Sequence, residues 1–331
     1  MLKPSKFTFF QKISHPSPRL GYVCVIVSAA LAGLLHSVSK PILEYSDVNT
    51  VEINPLTFAA IIFIVNGMFF TPIRKNGDPL KKIGKKNYYI LILIGIVEVL
   101  AISTYFFGLK ESTAVNASIL TNGEIIFSLL IALIIFKEKL GKRELPYFSM
   151  IIIGASLIPI GYDLYQHKMN LTDSVFGDLL ILLSGLLYAI DINMCKHLSS
   201  KINAKKITQI SSFAGGGFAL FLILVFQIPF NVSILHIPNI AVVGIFGTGL
   251  STYFFIMALR SIGAVRTILL YSSTSVFGMV FATLLLHEVI TLQSILSIAL
   301  VLGGMYFLRN RLGNGKTAIC DLGGKFKHGE L

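Results

Sequence analysis

The sequence predicts an all-α integral membrane protein of ten transmembrane helices, arranged as two five-helix repeats of inverted topology. Three observations predict it: an apolar composition with few charges, a sorting of Lys and Arg between alternate connections, and a self-similarity between the two halves of the chain.

Composition comes first. Hydrophobic residues make up 54% of the 331 residues and charged residues 13%, against about 25% charged in an ordinary soluble domain. Mean hydropathy is +0.77. So few charges cannot cover the surface of a soluble protein of this length, which excludes a soluble enzyme and a disordered chain. Strands of an outer-membrane barrel alternate apolar and polar residues, whereas this chain shows long unbroken apolar runs. The net charge of +12 would suggest nucleic acid for a soluble protein. Here the charges sit between the apolar runs, so the expected partners are the lipid bilayer and a small-molecule substrate, with no nucleic acid. Cys24 and Cys195 fall inside apolar runs and Cys320 in the tail, a spacing that implies neither a metal site nor a disulfide framework. No cofactor is expected. With no Trp, an interfacial belt must use Tyr and basic residues.

A span needs about 20 apolar residues. Residues 1–19, with Lys3, Lys6, Lys12 and Arg19, read as a basic cytoplasmic leader before a retained first helix, not as a cleaved signal. Spans follow at 20–40, 54–73, 88–108, 113–135 and 145–161, then at 175–196, 207–229, 238–259, 264–286 and 290–308. Pro55, Pro146 and Pro238 each fall in a first helical turn, where a missing N–H costs nothing. The connections near 110–113 and 260–264 are very short and predict antiparallel hairpins. This divides the chain into a first repeat at 20–161, an extracytoplasmic connection at 162–174, a second repeat at 175–309 and a cytoplasmic tail at 310–331. The tail is polar and glycine-containing and reads as disordered.

Orientation follows from Lys and Arg. With a cytoplasmic N-terminus and ten spans, 25 of the 28 basic residues fall inside, and only Lys40, Lys110 and Lys168 fall outside. A different helix count would scramble this partition. Both termini are therefore expected in the cytoplasm, with the protein in the cell membrane.

Self-similarity supplies the architecture. Thr104-Tyr105-Phe106-Phe107 recurs as Thr252-Tyr253-Phe254-Phe255, and Ala114-Val115 as Ala264-Val265. Glu138 and Glu288 each follow the repeated Ala by the same interval and close an apolar helix. Gly154 in one half and Gly303-Gly304 in the other mark the helix after it. Five spans per copy is odd, so the copies must insert in opposite directions. The flanks agree: Lys137, Lys139, Lys142 and Arg143 follow the fourth helix, whereas no Lys or Arg lies between His287 and Ser297 after its counterpart. Inverted repeats place a substrate site near the membrane midplane, between the halves.

On these residues the chain resembles the drug/metabolite transporter superfamily in its EamA-type branch, over about residues 20–309. The resemblance implies secondary transport, with the third, fourth, eighth and ninth helices lining the path. Members often carry Pro in the middle of the fourth helix of each repeat. Ile125 and Ser275 stand there instead, which leaves a mechanism resting on a proline kink at these positions unsupported.

Charges in the hydrocarbon core cost at least about 2.5 kcal/mol each and are functional candidates by default. Glu98 lies mid-span in the third helix, Glu124 in the fourth and Asp191 in the sixth, and their repeat counterparts are Phe246, Thr274 and Leu35. Fold maintenance would act on both halves alike, so an acid in one half favours a substrate or coupling-ion role for Glu98 and Glu124. The alternative is an acid hydrogen-bonded to neighbouring Ser or Asn. For Asp191, beside Asn193 and one turn from Lys196, that alternative weighs as much. Thr113, Ala117, Thr121, Glu124 and Ser128 form a stripe at helical spacing, matched by Thr267, Tyr271, Thr274 and Gly278. Polar stripes on apolar helices face protein or water, not lipid, so the two predict the walls of one central cavity, ringed by Tyr105 and Tyr253. Ordinary interhelical bonding by Thr and Ser is the other explanation. Glu138 and Glu288, at helix ends, read as structural or gate-forming. His36 reads as a packing residue, and the Gly215–Gly217 and Gly244, Gly247, Gly249 sets as close-packing or flexible points.

The expected function is alternating-access transport of a small amino acid-, drug- or metabolite-like molecule, with any proton coupling through Glu98 or Glu124. An intramembrane enzyme would need a nucleophile–base pair or a metal site, and no such set is recognisable; the chain is read as no enzyme. A non-transporting scaffold or sensor is the third class. A homodimer is compatible with the sequence.

Overall fold

The computed structural model describes residues 18–44, 53–74, 84–121, 173–230, 232 and 236–314, with scattered positions between 123 and 154. The expected leader, Glu138, most of the span at 145–161, the connection at 162–172 and the tail beyond 314 lie outside the described residues. Among the described residues every regular element is helical. In chain order these are α1 (Pro18–Glu44), α2 (Pro55–Arg74), α3 (Lys85–Glu111), α4 (Ala114–Leu120), α5 (Asp173–Ser199), α6 (Ala204–Val225), α7 (Ile237–Val242), a π-helical segment π1 (Val243–Leu250), α8 (Ser251–Ile262), α9 (Ala264–Tyr271), α10 (Thr274–Leu286) and α11 (Leu292–Asn314). Among the described residues six stretches are long and apolar enough to cross a membrane: Arg19–Leu43, Pro55–Pro72, Lys85–Glu111, Val175–Ser199, Ala204–Val225 and Ile237–Ile262. Thr274–Leu286 and Leu292–Gly304 are shorter apolar helices.

Local chemistry sets the boundaries. Pro55 opens α2. The Thr113 hydroxyl caps α4 by accepting from the Asn116 N–H at 3.0 Å, and the Asn203 side chain caps α6 by accepting from Lys205 N–H at 3.2 Å. At the second hairpin Gly263 has φ of +81°, a conformation a side chain would strain, and it lets α9 start one residue after α8 ends. The last carbonyls of α3 have no helical partner; the Lys40 ammonium takes up Leu109 O at 3.3 Å and also donates to Ser112 O.

Two expected helices are not continuous. The fourth stops at Leu120, with a turn at Thr121, and the ninth divides at Ser272–Ser273 between α9 and α10. Thr121 and Ser272–Ser273 stand at nearly equivalent repeat positions. The cause is hydroxyl competition for backbone carbonyls. Thr121 Oγ1 donates to Ser118 O at 2.8 Å, Ser273 Oγ to Leu270 O at 2.7 Å, Thr274 Oγ1 to Tyr271 O at 2.6 Å and Ser275 Oγ to Ser272 O at 2.8 Å. The backbone there tightens into i→i−3 bonds, Glu124 N–H to Thr121 O and Ser275 N–H to Ser272 O. A break arises without proline. The eighth helix departs differently: it widens to a π-helix over Val243–Leu250, where Gly244, Gly247 and Gly249 remove the side chains that would resist it.

Packing pairs α3 with α5 and α6, α2 with α6, and α1 with α8 and α10. Small residues permit these approaches. A Cβ on Gly95 would lie 2.2 Å from Ser211 O, one on Gly108 2.5 Å from Gly177 O, and one on Gly249 1.9 Å from Asn66 Oδ1. Between the helices, Phe58, Phe63, Phe106, Ile62 and Leu109 are fully enclosed. Large apolar groups such as Met68, Phe176, Leu224 and Leu284 face outward instead, a surface suited to hydrocarbon.

A buried polar cavity between the helix breaks

The two interruptions face each other across a cavity of about 100 Å³. Thr121 and Glu124 flank the first break and Tyr271 and Thr274 the second, and all four line it. From α3 come Glu98, Ile102 and Tyr105; from π1 and α8, Gly247, Thr248, Ser251 and Thr252. Ala32, Leu35 and His36 of α1 and Tyr188 of α5 complete the wall.

The acids are deeply set. Glu98 is 5% and Glu124 8% exposed. Thr252 Oγ1 donates to Glu98 Oε1 at a long 3.5 Å, so the Thr of the repeated Thr-Tyr-Phe-Phe motif meets the acid. Nothing among the described residues hydrogen-bonds to the Glu124 carboxylate. Asp191, also buried, lies outside the lining. Its contact is the Cys195 thiol, 3.8 and 3.9 Å from its two oxygens, while Asn193 turns to Ala189 O at 2.8 Å. Across the cavity His36 Nδ1 is hydrogen-bonded to the Tyr105 hydroxyl, the rings 5.4 Å apart, and Nε2 is buried without a partner.

Of the residues singled out from sequence, Glu98, Glu124, Tyr105, Thr121, Tyr271 and Thr274 come together on this cavity. Tyr253 does not: it is 2% exposed and packs 5.8 Å from Phe70. Ser128 lies off the wall, its hydroxyl buried without a partner. Glu288 stands at the far end of the ninth helix, where Oε1 accepts from the Ala114 N–H at 3.0 Å, joining the end of one half to the start of the fourth helix in the other. Gly278 is a packing point. A Cβ there would lie 2.4 Å from Ser118 Cβ and 2.9 Å from His36 Cδ2.

Sequence reasoning missed His36, Tyr188, Thr248, Ser251 and Thr252 as wall residues. Tyr188 carried a signal, since it lies one turn before Asp191 on the same helix. Thr248 carried none, because its direction depends on the π-helical register. Among the described residues no three His, Cys, Asp or Glu side chains gather closely enough to hold a metal ion.

A helical bundle with membrane-length apolar segments around a buried acidic cavity defines an integral membrane protein of the transporter type. The chain belongs to the EamA-like transporter family, whose pattern matches residues 19–159 and again residues 175–310. It is 27% identical over 302 residues to an uncharacterized transporter of Methanothermobacter thermautotrophicus, covering 87% of this chain and 85% of that one. It is 26% identical over 181 residues to an uncharacterized transporter of Archaeoglobus fulgidus, covering 54% and 53%. A crystal structure of a protein 14% identical in sequence superposes with a TM-score of 0.60 over 89% of this chain and 97% of that one, a likeness of fold.

Proposed function

We propose that the protein is a secondary transporter that moves a small organic metabolite across the cell membrane by alternating access, coupled to protons through Glu98 or Glu124. It has no enzymatic role in this reading. The observation that carries it is the cavity itself: two carboxylates held in an apolar bundle between two helix breaks, Glu124 without a hydrogen-bonding partner among the described residues. Buried acids in a membrane protein are costly and mark ion or substrate pathways.

The chain crosses the membrane ten times as two inverted five-helix repeats, with both termini in the cytoplasm. The packing supports this: α1 of the first half lies on α8 of the second, as α3 of the first lies on α5 of the second. Such swapped pairs suit a pseudo-two-fold axis between the halves. The interruptions at Thr121 and at Ser272–Ser273 are the points about which each half changes shape, and the Glu288–Ala114 contact helps hold one end shut. Glu138, outside the described residues, is assigned a structural or gate-forming role from its repeat position alone.

The test is flux into proteoliposomes with an imposed proton gradient, offering a deproteinised cell extract and identifying accumulated solutes by mass spectrometry. Glu124→Gln and Glu98→Gln should lose gradient-driven accumulation while exchange of the same solutes survives. The two acids act as a pair, so the double variant is included. Normal proton-dependent accumulation in both single variants and the double variant would end the carboxylate-coupling mechanism. No accumulation by the unaltered protein would end the transport reading.

A further inference from the structure

Resting on the transport reading above, we propose that the cavity selects an organic monocation, a protonated amine with an apolar or aromatic body, over anions and zwitterions. The first argument is charge. Glu98 and Glu124 both line the cavity, and among the described residues no Lys or Arg does. An ionised carboxylate only accepts hydrogen bonds and an ammonium only donates them, so the two are complementary. An anionic substrate would add a further negative charge to a buried site that has no Lys or Arg among its described lining residues, at the cost of a poorly compensated charge.

The second argument separates a monocation from a zwitterion such as an amino acid, whose carboxylate needs its own donors. A helix N-terminus is the usual alternative to Lys or Arg, and α10 begins at the cavity with Thr274. Three of its first four amides are already taken. Ser275 N–H donates to Ser272 O, and the N–H groups of Val276 and Phe277 donate to Ser273 O at 3.0 and 3.1 Å. The amide of Glu124 is bonded to Thr121 O in the same way. The tightening that breaks both helices consumes most of the backbone donors that would hold a carboxylate, leaving single side-chain donors such as the Thr248 hydroxyl.

The third argument is what is left unpaired. Among the described residues the Glu124 carboxylate has no hydrogen-bonding partner, and neither the buried His36 Nε2 nor the buried Thr248 Oγ1 has one. Tyr188 of α5 and Tyr271 of α9 lie on the same wall, and aromatic faces attract an ammonium in a desolvated site. The titratable groups that face the acids are His36 from α1, Tyr105 from α3, Tyr188 and Asp191 from α5, and Tyr271 from α9. A proton and the amine compete for the same carboxylates, so occupancy by one displaces the other.

The experiment uses four probes of similar carbon skeleton: phenethylamine, 2-phenylethanol, 3-phenylpropionate and phenylalanine. Binding to the purified full chain in detergent is read by calorimetry and by thermal stabilisation. Phenethylamine should bind at least about tenfold more tightly than the other three, and Glu124→Gln should weaken it roughly ten- to a hundredfold, the worth of a hydrogen bond to a charged group. Glu124→Asp, which keeps the charge, should retain most of the affinity, and ligand-free melting of each variant separates lost binding from lost folding. Equal binding of the alcohol, tighter binding of 3-phenylpropionate or phenylalanine, or no binding of any probe would overturn the proposal. So would unchanged amine affinity in both Glu124→Gln and Glu98→Gln. Amine binding without flux in proteoliposomes would keep the cation site and overturn the transport reading; flux of the carboxylate or the zwitterion would do the reverse.

Discussion

Replacing Gly95 by Ala adds one methyl group where α3 meets α6. That methyl would lie 2.2 Å from Ser211 O and 2.7 Å from Gly215 N, both backbone atoms. A backbone carbonyl cannot rotate aside as a side chain can, so the two helices must separate along the contact. Overpacking of this kind costs about 1–3 kcal/mol, and here the upper end is expected because the obstacle is backbone. Gly217 of α6 is the control. It is exposed, and nothing lies within 4 Å of a Cβ built there, so Gly217→Ala should leave stability unchanged or raise it by up to about 1 kcal/mol through helix propensity. Gly215→Ala, whose Cβ would meet Gly95 O at 2.7 Å, should behave like Gly95→Ala. Thermal unfolding in detergent, followed by a thiol-reactive dye reporting exposure of the buried Cys24 and Cys195, reads all three. Equal effects at Gly95 and Gly217, or no loss at Gly95, would refute the α3–α6 packing.

Tyr105→Phe removes the only hydrogen-bond partner of His36 Nδ1 among the described residues and should cost about 1–3 kcal/mol of stability; combined with His36→Phe in a double-mutant cycle, the effects should fall well short of additive, and simple additivity would show that the pair is not coupled. A cysteine at Lys85, at the exposed start of α3, introduced with Cys320→Ser, should react with an impermeant thiol reagent only after the membrane is opened. Labelling from outside intact cells would reverse the assigned orientation.

The sequence by itself determined the membrane class, because so low a charge content admits no soluble solution. It also located the acids, since any carboxylate inside an apolar run stands out against its cost. The hairpins near 110–113 and 260–264 were legible because so short a connection between two apolar runs leaves the chain only an immediate return. Thr121, Glu124, Tyr271 and Thr274 could be picked from stripes at helical spacing, a periodicity any helix of that length imposes. What the tertiary structure decided was direction. Tyr253 shares the motif of Tyr105 but turns into the bundle against Phe70, because similar sequences in the two halves meet different neighbours. The hydroxyls of Thr121 and Thr274 read as polar wall residues, yet together with those of Ser273 and Ser275 they also break the helices, since whether a hydroxyl bonds back to the carbonyl three residues earlier depends on whether another acceptor or water is within reach. Thr248 and Ser251 reach the cavity only through the π-helical turn, whose register shift depends on Gly244 against Ile62 and Gly249 against Asn66. Spacing along the chain fixes which residues share a helix face; the approach of neighbouring helices fixes where that face points.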